Sequence, residues 1–261
     1  MVTGVEAGAI RSKREPWWSI AAVFVLGFVL LSLLTASPLL VRAFLYQPFN
    51  IPAGSMKPTF LVGDVFFVAK YPYGYSRYTW PLSWPSSLAA SARIWGAVPA
   101  RGDVVAFFLP KDNATVYIKR VVGLPGDRIQ MKDGRLYINE TPVVRERRDD
   151  AVGLSACGDE SRERVKRWRE TLPNGVSYDT LDCLDNGFFD NTPVYTVPPD
   201  RLFMLGDNRD NSTDSRVLSQ VGYVPIENVI GRAAMIYFSV TGGEKGEPGR
   251  IRFERIGMMV R

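Results

Sequence analysis

The chain has 261 residues, of which 46% are hydrophobic and 12% aromatic, enough apolar material to bury a sizeable core in one or two domains. It contains no histidine, which excludes Ser-His-Asp and Cys-His mechanisms and the metal sites that depend on imidazole. Two cysteines are too few for a cysteine-based zinc site or an iron–sulfur cluster. The net charge of +5 is mild and the basic residues form no long run, which argues against nucleic-acid binding.

An uncharged stretch lies near the N-terminus. No residue between Glu15 and Arg42 is charged, and Ile20 to Leu34 is almost continuously apolar. Because about 20 such residues span a bilayer, we predict a transmembrane anchor at 17–41 behind a short cytoplasmic tail at 1–16. Basic residues lie on both sides, so the charge bias towards a cytoplasmic N-terminus is weak. A cleaved signal peptide is the alternative, and the length of the uncharged run favours a retained anchor.

The rest of the chain is predicted to be rich in β-strands. Short runs of Val, Ile, Phe and Tyr are separated by Gly, Pro, Asn and Asp. The runs are Asp64 to Tyr71, Asp103 to Phe108, Val116 to Val122, Arg135 to Ile138, Arg201 to Leu205 and Val229 to Val240. One segment, Ser161 to Glu170, is predicted to be a charged surface helix. The pattern as a whole predicts a mainly β, antiparallel fold.

Two stretches interrupt the strand pattern. Tyr71 to Trp95 is rich in tyrosine and tryptophan, and these rings either meet the membrane interface or pack within the β core. Arg145 to Pro199 is polar and loop-like and holds both cysteines, which indicates an insertion. We therefore expect a β core at 46–127 and 199–261 and an inserted second β/loop domain at 128–198.

The first candidate for chemistry is a serine soon after the apolar stretch. Without histidine, a serine, threonine or cysteine nucleophile needs a lysine to activate it, or carboxylates must act in pairs. In the segment PAGSMKP, from Pro52, two prolines and a glycine fix a tight turn around Ser55, whose backbone N–H can point towards an oxyanion. Taken alone, an ordinary turn serine is the commoner explanation.

The segment YIKRVVGLPGD, from Tyr117, offers a base. Strand alternation puts Lys119 on one face with Tyr117, and Arg120 on the other. A lysine directed inwards loses solvation, so its pKa falls and a neutral amine becomes available, although a lone strand lysine more often reaches solvent. The rival bases are Lys57, Lys70 and Lys111. Of these, Lys57 is expected to point into solvent or towards lipid headgroups.

A third segment, LGDNRDNSTDSR from Leu205, is dense in acids, amides and hydroxyls. A calcium loop that starts at Asp210 fails, because Ser215 stands where that loop needs glycine and Val221 where it needs glutamate. The segment instead indicates a buried network of hydrogen bonds and ion pairs, with hydroxyls able to hold a neutral lysine amine. We expect neither a metal nor a cofactor.

Together these segments resemble the type I signal peptidases (leader peptidases), the membrane-bound Ser/Lys proteases of bacteria. The resemblance rests on QPFNIPAGSMKPTFLVGD (from Gln47), RGDVVAF (from Arg101), YIKRVVGLPGDRI (from Tyr117) and LGDNRDNSTDSR (from Leu205), in the family's order behind an anchor. It implies that Ser55 is the nucleophile, Lys119 the general base and Ser212 the hydroxyl that positions the lysine amine. The supporting residues that it implies are Asp207, Arg209, Asp214, Arg216 and Arg120.

The resemblance also implies an activity and a location. The expected activity is a serine endopeptidase that removes signal peptides from exported preproteins, cutting after small residues of the Ala-x-Ala type through an acyl-enzyme. The expected location is the bacterial inner membrane, single-pass, with a cytoplasmic N-terminus and a periplasmic catalytic core, in contact with lipid and transiently with the secretion machinery. Such a location permits a disulfide between Cys157 and Cys183, while two free thiols remain the alternative.

One departure from the family is Ala53, where many members have a serine or threonine whose hydroxyl contributes to the oxyanion hole. Losing such a donor costs about 2.7–4 kcal/mol of transition-state stabilisation if nothing replaces it. Two alternatives therefore stay open: a specialised maturation peptidase of conjugation or pilin systems, and a catalytically impaired, membrane-tethered β-module that binds envelope proteins. A Ser-x-x-Lys hydrolase is excluded, because no serine has a lysine three positions on.

Overall fold

The computed structural model describes residues 17–83, 85–89, 92–152, 156–157, 164–241 and 249–260. The chain divides into two units, one up to Val41 and one from Arg42 to Arg261. The cytoplasmic tail predicted at 1–16 lies outside the described residues.

The N-terminal unit is a long apolar helix, α1 (Trp17–Leu40), with Pro38 near its end. Among the described residues, one helical stretch, Phe24–Leu45, is long and apolar enough to cross a membrane, with a mean hydropathy of 2.3. Its length and composition suit a helix that crosses the hydrocarbon core of a bilayer. The helix fits the anchor predicted at 17–41.

The second unit is mainly β. Its strands in chain order are β1 (Tyr46–Asn50), β2 (Asp64–Ala69), β3 (Val104–Phe108), β4 (Val116–Gly123), β5 (Arg128–Lys132), β6 (Arg135–Ile138), β7 (Thr141–Pro142), β8 (Val144–Val152), β9 (Arg164–Thr171), β10 (Ser177–Asp182), β11 (Tyr195–Thr196), β12 (Arg201–Leu205), β13 (Val224–Pro225), β14 (Val229–Thr241) and β15 (Arg250–Ile251). Each of the six predicted runs coincides with one of these strands to within two residues at either end.

The strands form antiparallel sheets. The main sheet has the order β1-β2-β14-β3-β4-β12-β13, and β15 pairs with β14 at its far end. The 13-residue strand β14 pairs with both β2 and β3, and shifts of register along it let one strand bend across the sheet. Two smaller sheets have the orders β10-β9-β8 and β11-β5-β6-β7. The predicted mainly β, antiparallel fold is confirmed.

Two expectations about the insertion are wrong. The segment expected to be a helix, Ser161 to Glu170, is strand β9 from Arg164 onwards, and its first residues lie outside the described part of the chain. Its charged residues do not face solvent as one helical surface, because they pair across strands, as Arg169 does with Asp179 of β10. The loop-like character expected of Arg145 to Pro199 is likewise wrong where β8 to β11 run.

The insertion and the main sheet share an apolar core. Val122, Phe203 and Leu205 of the main sheet belong to one buried cluster with side chains from 128–198. The insertion contributes Ile129, Met131, Leu136, Ile138, Val143, Leu172, Tyr178, Tyr195 and Val197. The boundaries of the inserted domain stay a prediction, but its strands are packed against the sheet that carries Lys119.

The aromatic segment Tyr71 to Trp95 is pinned to the β unit, with Trp84 outside the described residues. Arg93 donates hydrogen bonds to carbonyls of the segment, to Ile226 O in the turn before β14 and to Val229 O at the start of β14. Tyr73 and Tyr75 are buried, whereas Tyr71 is 51% and Trp95 78% exposed. The rings therefore divide between core packing and an exposed surface.

Candidate active site

Ser55 lies in a short 3₁₀ turn, Gly54–Met56, between β1 and β2. The turn is closed by a hydrogen bond from the Lys57 N–H to Gly54 O at 3.1 Å, followed by one from the Phe60 N–H to Met56 O at 2.9 Å. Met56 is buried, so packing as well as hydrogen bonding fixes the backbone here. The tight turn predicted around Ser55 is confirmed, and its serine stays partly exposed.

Lys119, in the middle of β4, reaches this turn. Its Nζ donates to Ser55 Oγ at 2.7 Å, and only 3% of the residue is exposed. Burial lowers the pKa of Lys119 to about 8, although the Asp214 and Asp207 carboxylates partly offset the effect. An ammonium removed from water loses stability relative to the neutral amine. A substantial fraction of Lys119 is therefore neutral at mildly alkaline pH.

Of the three rival lysines, Lys70 and Lys111 lie away from Ser55, whereas Lys57 lies in its turn. Lys70 is buried after β2 and donates from Nζ to Ala43 O at 3.2 Å, and Lys111 is exposed between β3 and β4. Lys57 is only 8% exposed, and its side chain lies close to Gly54. The expectation that Lys57 points into solvent or lipid is wrong, because the turn at Ser55 directs its side chain back onto the preceding residues.

Arg120, the residue after Lys119, forms a buried ion pair with Asp207. Arg120 Nε donates to Asp207 Oδ1 at 2.8 Å and Nη2 to Oδ2 at 2.7 Å, and each side chain is 1% exposed. The Thr59 hydroxyl donates to the same carboxylate. Paired charge-assisted hydrogen bonds of this kind set geometry as well as energy. The pair thus ties β4 and the segment after β12 to the chain that follows Ser55.

Asp214 and Arg216 form a second buried pair in the segment after β12. Arg216 Nε donates to Asp214 Oδ1 and Nη2 to Oδ2, both at 2.8 Å, and the Gly206 N–H donates to Oδ2 at 3.1 Å. Burial alone would raise the pKa of Asp214, but the Arg216 guanidinium, together with hydrogen bonds such as that from the Gly206 N–H, holds that pKa below its ordinary value. Asp214 is therefore ionised, and its charge opposes the fall in the pKa of Lys119.

Ser212 is buried beside Gly206 in the same segment. Within the described residues its hydroxyl makes no well-formed hydrogen bond, although it lies near enough to Asp214 to help lower the pKa of that carboxyl. The structure thus brings Ser212 into the buried network. Its predicted role of positioning the lysine amine stays a prediction.

Ser55 and Lys119 open onto a cleft of about 460 Å³, a size within the range of ligand pockets. The lining is largely apolar, and it includes Ala53, the residue that departs from the family pattern. Around the dyad the cleft is lined by Phe49, Asn50, Ile51, Pro52, Gly54, Met56, Val116, Tyr117, Ile118, Asn211 and Thr213. A hydroxyl and a desolvated amine at hydrogen-bond distance, facing an open cleft, can carry out nucleophilic acyl transfer.

Comparison with known proteins decides the family. Residues 19–238, most of the chain, match the family described as "Signal peptidase, peptidase S26". The chain belongs to this signal peptidase family. It is a serine peptidase, and a Ser/Lys dyad is the mechanism of its family.

Individual relatives of this signal peptidase agree. Signal peptidase I of Rickettsia akari is 38% identical over 236 residues, which are 88% of this chain and 81% of that relative. Signal peptidase I of Rickettsia canadensis is 42% identical over 236 residues with the same coverage. A signal peptidase I from Enterococcus faecalis, known from a crystal structure, shares 28% sequence identity with this chain. The match covers 52% of this chain and 97% of the Enterococcus chain, with a TM-score of 0.31. The family match and the two Rickettsia relatives confirm the family inferred from the four sequence segments and signal-peptide removal as its activity.

Two residues of the peptidase site, Glu170 and Asn208, were not singled out by the sequence. Arg209, one of the predicted supporting residues, pairs with Glu170 of β9, a residue expected to lie on a surface helix. Asn208 is fully buried, and its side-chain amide donates to Gly54 O at 3.1 Å. The density of amides around Asn208 was a usable signal, whereas nothing in the charged run around Glu170 marked it as buried.

Proposed function

We propose that Ser55 and Lys119 are the catalytic dyad with which this peptidase cuts signal peptides from preproteins. The observation that carries the proposal is the 2.7 Å hydrogen bond from the Lys119 amine to Ser55 Oγ, made by a lysine whose pKa burial lowers to about 8. Because the chain has no histidine, its serine nucleophile needs another base, and a lysine of that pKa in contact with Ser55 can serve as one.

The reaction runs in two halves. Neutral Lys119 takes the proton from Ser55 Oγ as the oxygen attacks the scissile carbonyl, and it then protonates the leaving amine. In the second half, neutral Lys119 takes a proton from water as the water oxygen attacks the acyl carbon. The bond from that carbon to Ser55 Oγ then breaks, Lys119 returns the proton to Oγ, and the new carboxyl end is released. One base therefore serves both halves, and the buried pairs Arg120–Asp207 and Arg216–Asp214 keep it in place.

The substrates are preproteins with small residues at the first and third positions before the cut bond. The cleft is lined by backbone and apolar side chains near Ser55, which suits a short extended peptide with small side chains. Ala53 contributes only a methyl group there. The backbone N–H of Ser55 therefore stabilises the oxyanion without the help of a side-chain hydroxyl at position 53.

The peptidase is a single-pass protein of the bacterial inner membrane, with a cytoplasmic N-terminus and a periplasmic catalytic unit. The apolar stretch Phe24–Leu45 ends ten residues before Ser55, so the nucleophile follows the membrane span closely in the chain. Exposed Tyr71 and Trp95 suit contact with the lipid interface, where aromatic rings concentrate. Signal-peptide-bearing chains reach the enzyme at this surface, in transient contact with the secretion machinery.

The dyad is tested with the full chain in detergent and a preprotein that carries an Ala-x-Ala site. Ser55→Ala and Lys119→Ala are compared with Ser219→Ala and Lys111→Ala, which change exposed residues of the same types. We expect the first pair to lose activity by at least about a thousandfold and the second pair to cleave like the unchanged protein. Undiminished cleavage by Ser55→Ala or Lys119→Ala would reject the dyad, and the absence of cleavage by the unchanged chain would favour the tethered binding module.

Specificity and orientation need separate measurements. Replacing the alanine directly before the cut bond by aspartate is expected to abolish cleavage, whereas cleavage of one narrow pilin-type substrate alone would favour the specialised maturation peptidase. In spheroplasts, externally added protease is expected to degrade the unit from Arg42 onwards. Protection of that unit until the cells are lysed would reverse the proposed orientation.

A further inference from the structure

Asn208 connects the nucleophile turn to the disulfide-bridged part of the insertion. Its backbone N–H donates to Ser55 O at 3.1 Å, and its side-chain Nδ2 donates to Gly54 O at 3.1 Å. The same Nδ2 donates to Ala156 O at 2.6 Å. The residue is fully buried, so these hydrogen bonds have no competition from water. Both N–H bonds of one amide are thus used to hold two separate chain segments.

The Ala156 side of this connection is held by a disulfide. Ala156 directly precedes Cys157, which is bonded to Cys183 with a Cα–Cα distance of 5.6 Å, so of the two alternatives that the sequence left open the structure contains the disulfide. The N–H groups of Cys183 and Leu184 donate to Asp210 Oδ2 at 2.7 and 2.9 Å. Asp210 lies two residues after Asn208, so the disulfide fixes the 156–157 segment against the chain that carries the catalytic network.

We propose that Asn208 is a positioning residue for Ser55. The Cys157–Cys183 disulfide holds Ala156 O, the second acceptor of the Asn208 amide, and thereby makes peptidase activity depend on the redox state of this bond. The proposal rests on the proposed role of Ser55 as nucleophile. With Ala156 fixed, the Asn208 amide has one orientation, and its second N–H presents a fixed donor to Gly54 O. With the 156–157 segment released, the amide is free to turn and the Ser55 turn loses that support.

The chemistry of the switch is ordinary thiol–disulfide exchange. A dithiol reductant transfers two electrons and two protons to the two sulfur atoms, the S–S bond breaks into two thiols, and the dithiol closes to its own disulfide. Oxidation reverses the exchange. A displacement of about 1 Å at a nucleophile is enough to lower the rate by about a hundredfold, so loss of one support suffices to change kcat.

The experiment measures kcat and KM on the Ala-x-Ala preprotein before and after reduction with dithiothreitol. Three full-length proteins are compared: the unchanged chain, Asn208→Ala, and Asn174→Ala, in which an exposed asparagine loses a comparable hydrogen bond to Arg101 O. Reduction is expected to lower kcat of the unchanged chain and of Asn174→Ala by about tenfold, with KM changed less than twofold. Asn208→Ala is expected to start about tenfold lower and to lose less than a further twofold on reduction.

Three outcomes would overturn the proposal. An unchanged kcat after reduction, or an equal loss in Asn208→Ala and the unchanged chain, would separate the disulfide from Ser55. Loss of the tyrosine and tryptophan fine structure in the near-ultraviolet circular dichroism spectrum on reduction would assign the bond to folding instead. If dithiothreitol does not reduce the bond, the Cys157→Ser, Cys183→Ser double variant replaces the reduced protein in the same comparison. Activity retained by Ser55→Ala would refute the dyad itself, whatever reduction does.

Discussion

Arg209 and Glu170 form a buried ion pair that joins the segment after β12 to β9 of the insertion. Arg209 Nη1 donates to Glu170 Oε1 at 2.9 Å and Nη2 donates to Oε2 at 2.5 Å, and the side chains are 4% and 1% exposed. The Tyr178 hydroxyl donates to the same carboxylate at 3.0 Å. A carboxylate from outside the four family segments thus anchors the segment that carries Asp207 and Asp214.

This pair predicts a large loss of stability when its carboxylate is neutralised. Glu170→Gln leaves the Arg209 guanidinium buried without a counter-charge, so we expect the free energy of unfolding to fall by about 3–5 kcal/mol. Urea denaturation measures the change. The control is Glu140→Gln, which breaks the exposed pair with Arg128 and is expected to cost less than about 1 kcal/mol. Equal losses in the two variants would contradict the importance assigned to the buried pair.

The pKa of Lys119 predicts the pH dependence of cleavage. Protonated Lys119 cannot accept the Ser55 proton, so kcat/KM rises with pH, about tenfold per unit well below the pKa, and levels off above it. The midpoint of the rise is expected at about pH 8. The measurement is a pH profile of kcat/KM on the preprotein, with Lys111→Ala giving the same midpoint. A midpoint near 10.5, the ordinary value for lysine, would show that burial does not tune this amine.

The strands of the main sheet and the tight turn at Ser55 follow from local sequence patterns, whereas the pairing of Ser55 with Lys119 follows from the resemblance to the signal peptidases. Runs such as Val116 to Val122 are rich in β-branched residues, and the prolines and glycine around Ser55 restrict its turn. The absence of histidine calls for another base, but it leaves Lys57, Lys70 and Lys111 as rivals to Lys119. The strands and the turn were predictable because each depends on chemistry within one short segment.

The residues that escaped prediction depend on contacts between distant segments. Glu170 lies in a run with charges on both faces, and it is buried only because Arg209, 39 residues later, reaches it. Asn208 touches Gly54 and Ala156, which lie 154 and 52 residues away in the chain. Lys57 is the local exception, because the closure of its own turn directs its side chain inwards. No periodicity of a single segment carries such information.

Gly206 predicts a steric test of the site. A Cβ atom at this position would lie 2.1 Å from Ser212 Oγ and 2.6 Å from the backbone Ser55 O. Because the backbone of the nucleophile turn must move to relieve the second contact, we expect Gly206→Ala to lower kcat by at least about a hundredfold. The control is Gly27→Ala in α1, where a Cβ meets nothing within 4 Å. Cleavage kinetics that match in the two variants would refute the close packing at Gly206.

Asp214 predicts a shift in the pH profile that removal of a purely structural residue would not produce. Its carboxylate raises the pKa of Lys119, whereas the Arg216 guanidinium lowers it. Asp214→Asn removes the first effect and leaves the positive charge of Arg216 uncompensated, so both changes move the midpoint of kcat/KM below about pH 8. The control is Asp133→Asn, which neutralises an exposed carboxylate. Asparagine, like aspartate, tolerates the left-handed backbone at this position, so the midpoint is expected to stay unchanged. The pH profiles of the two variants are compared directly. An unshifted or higher midpoint in Asp214→Asn would mean that this carboxylate does not set the proton affinity of the lysine.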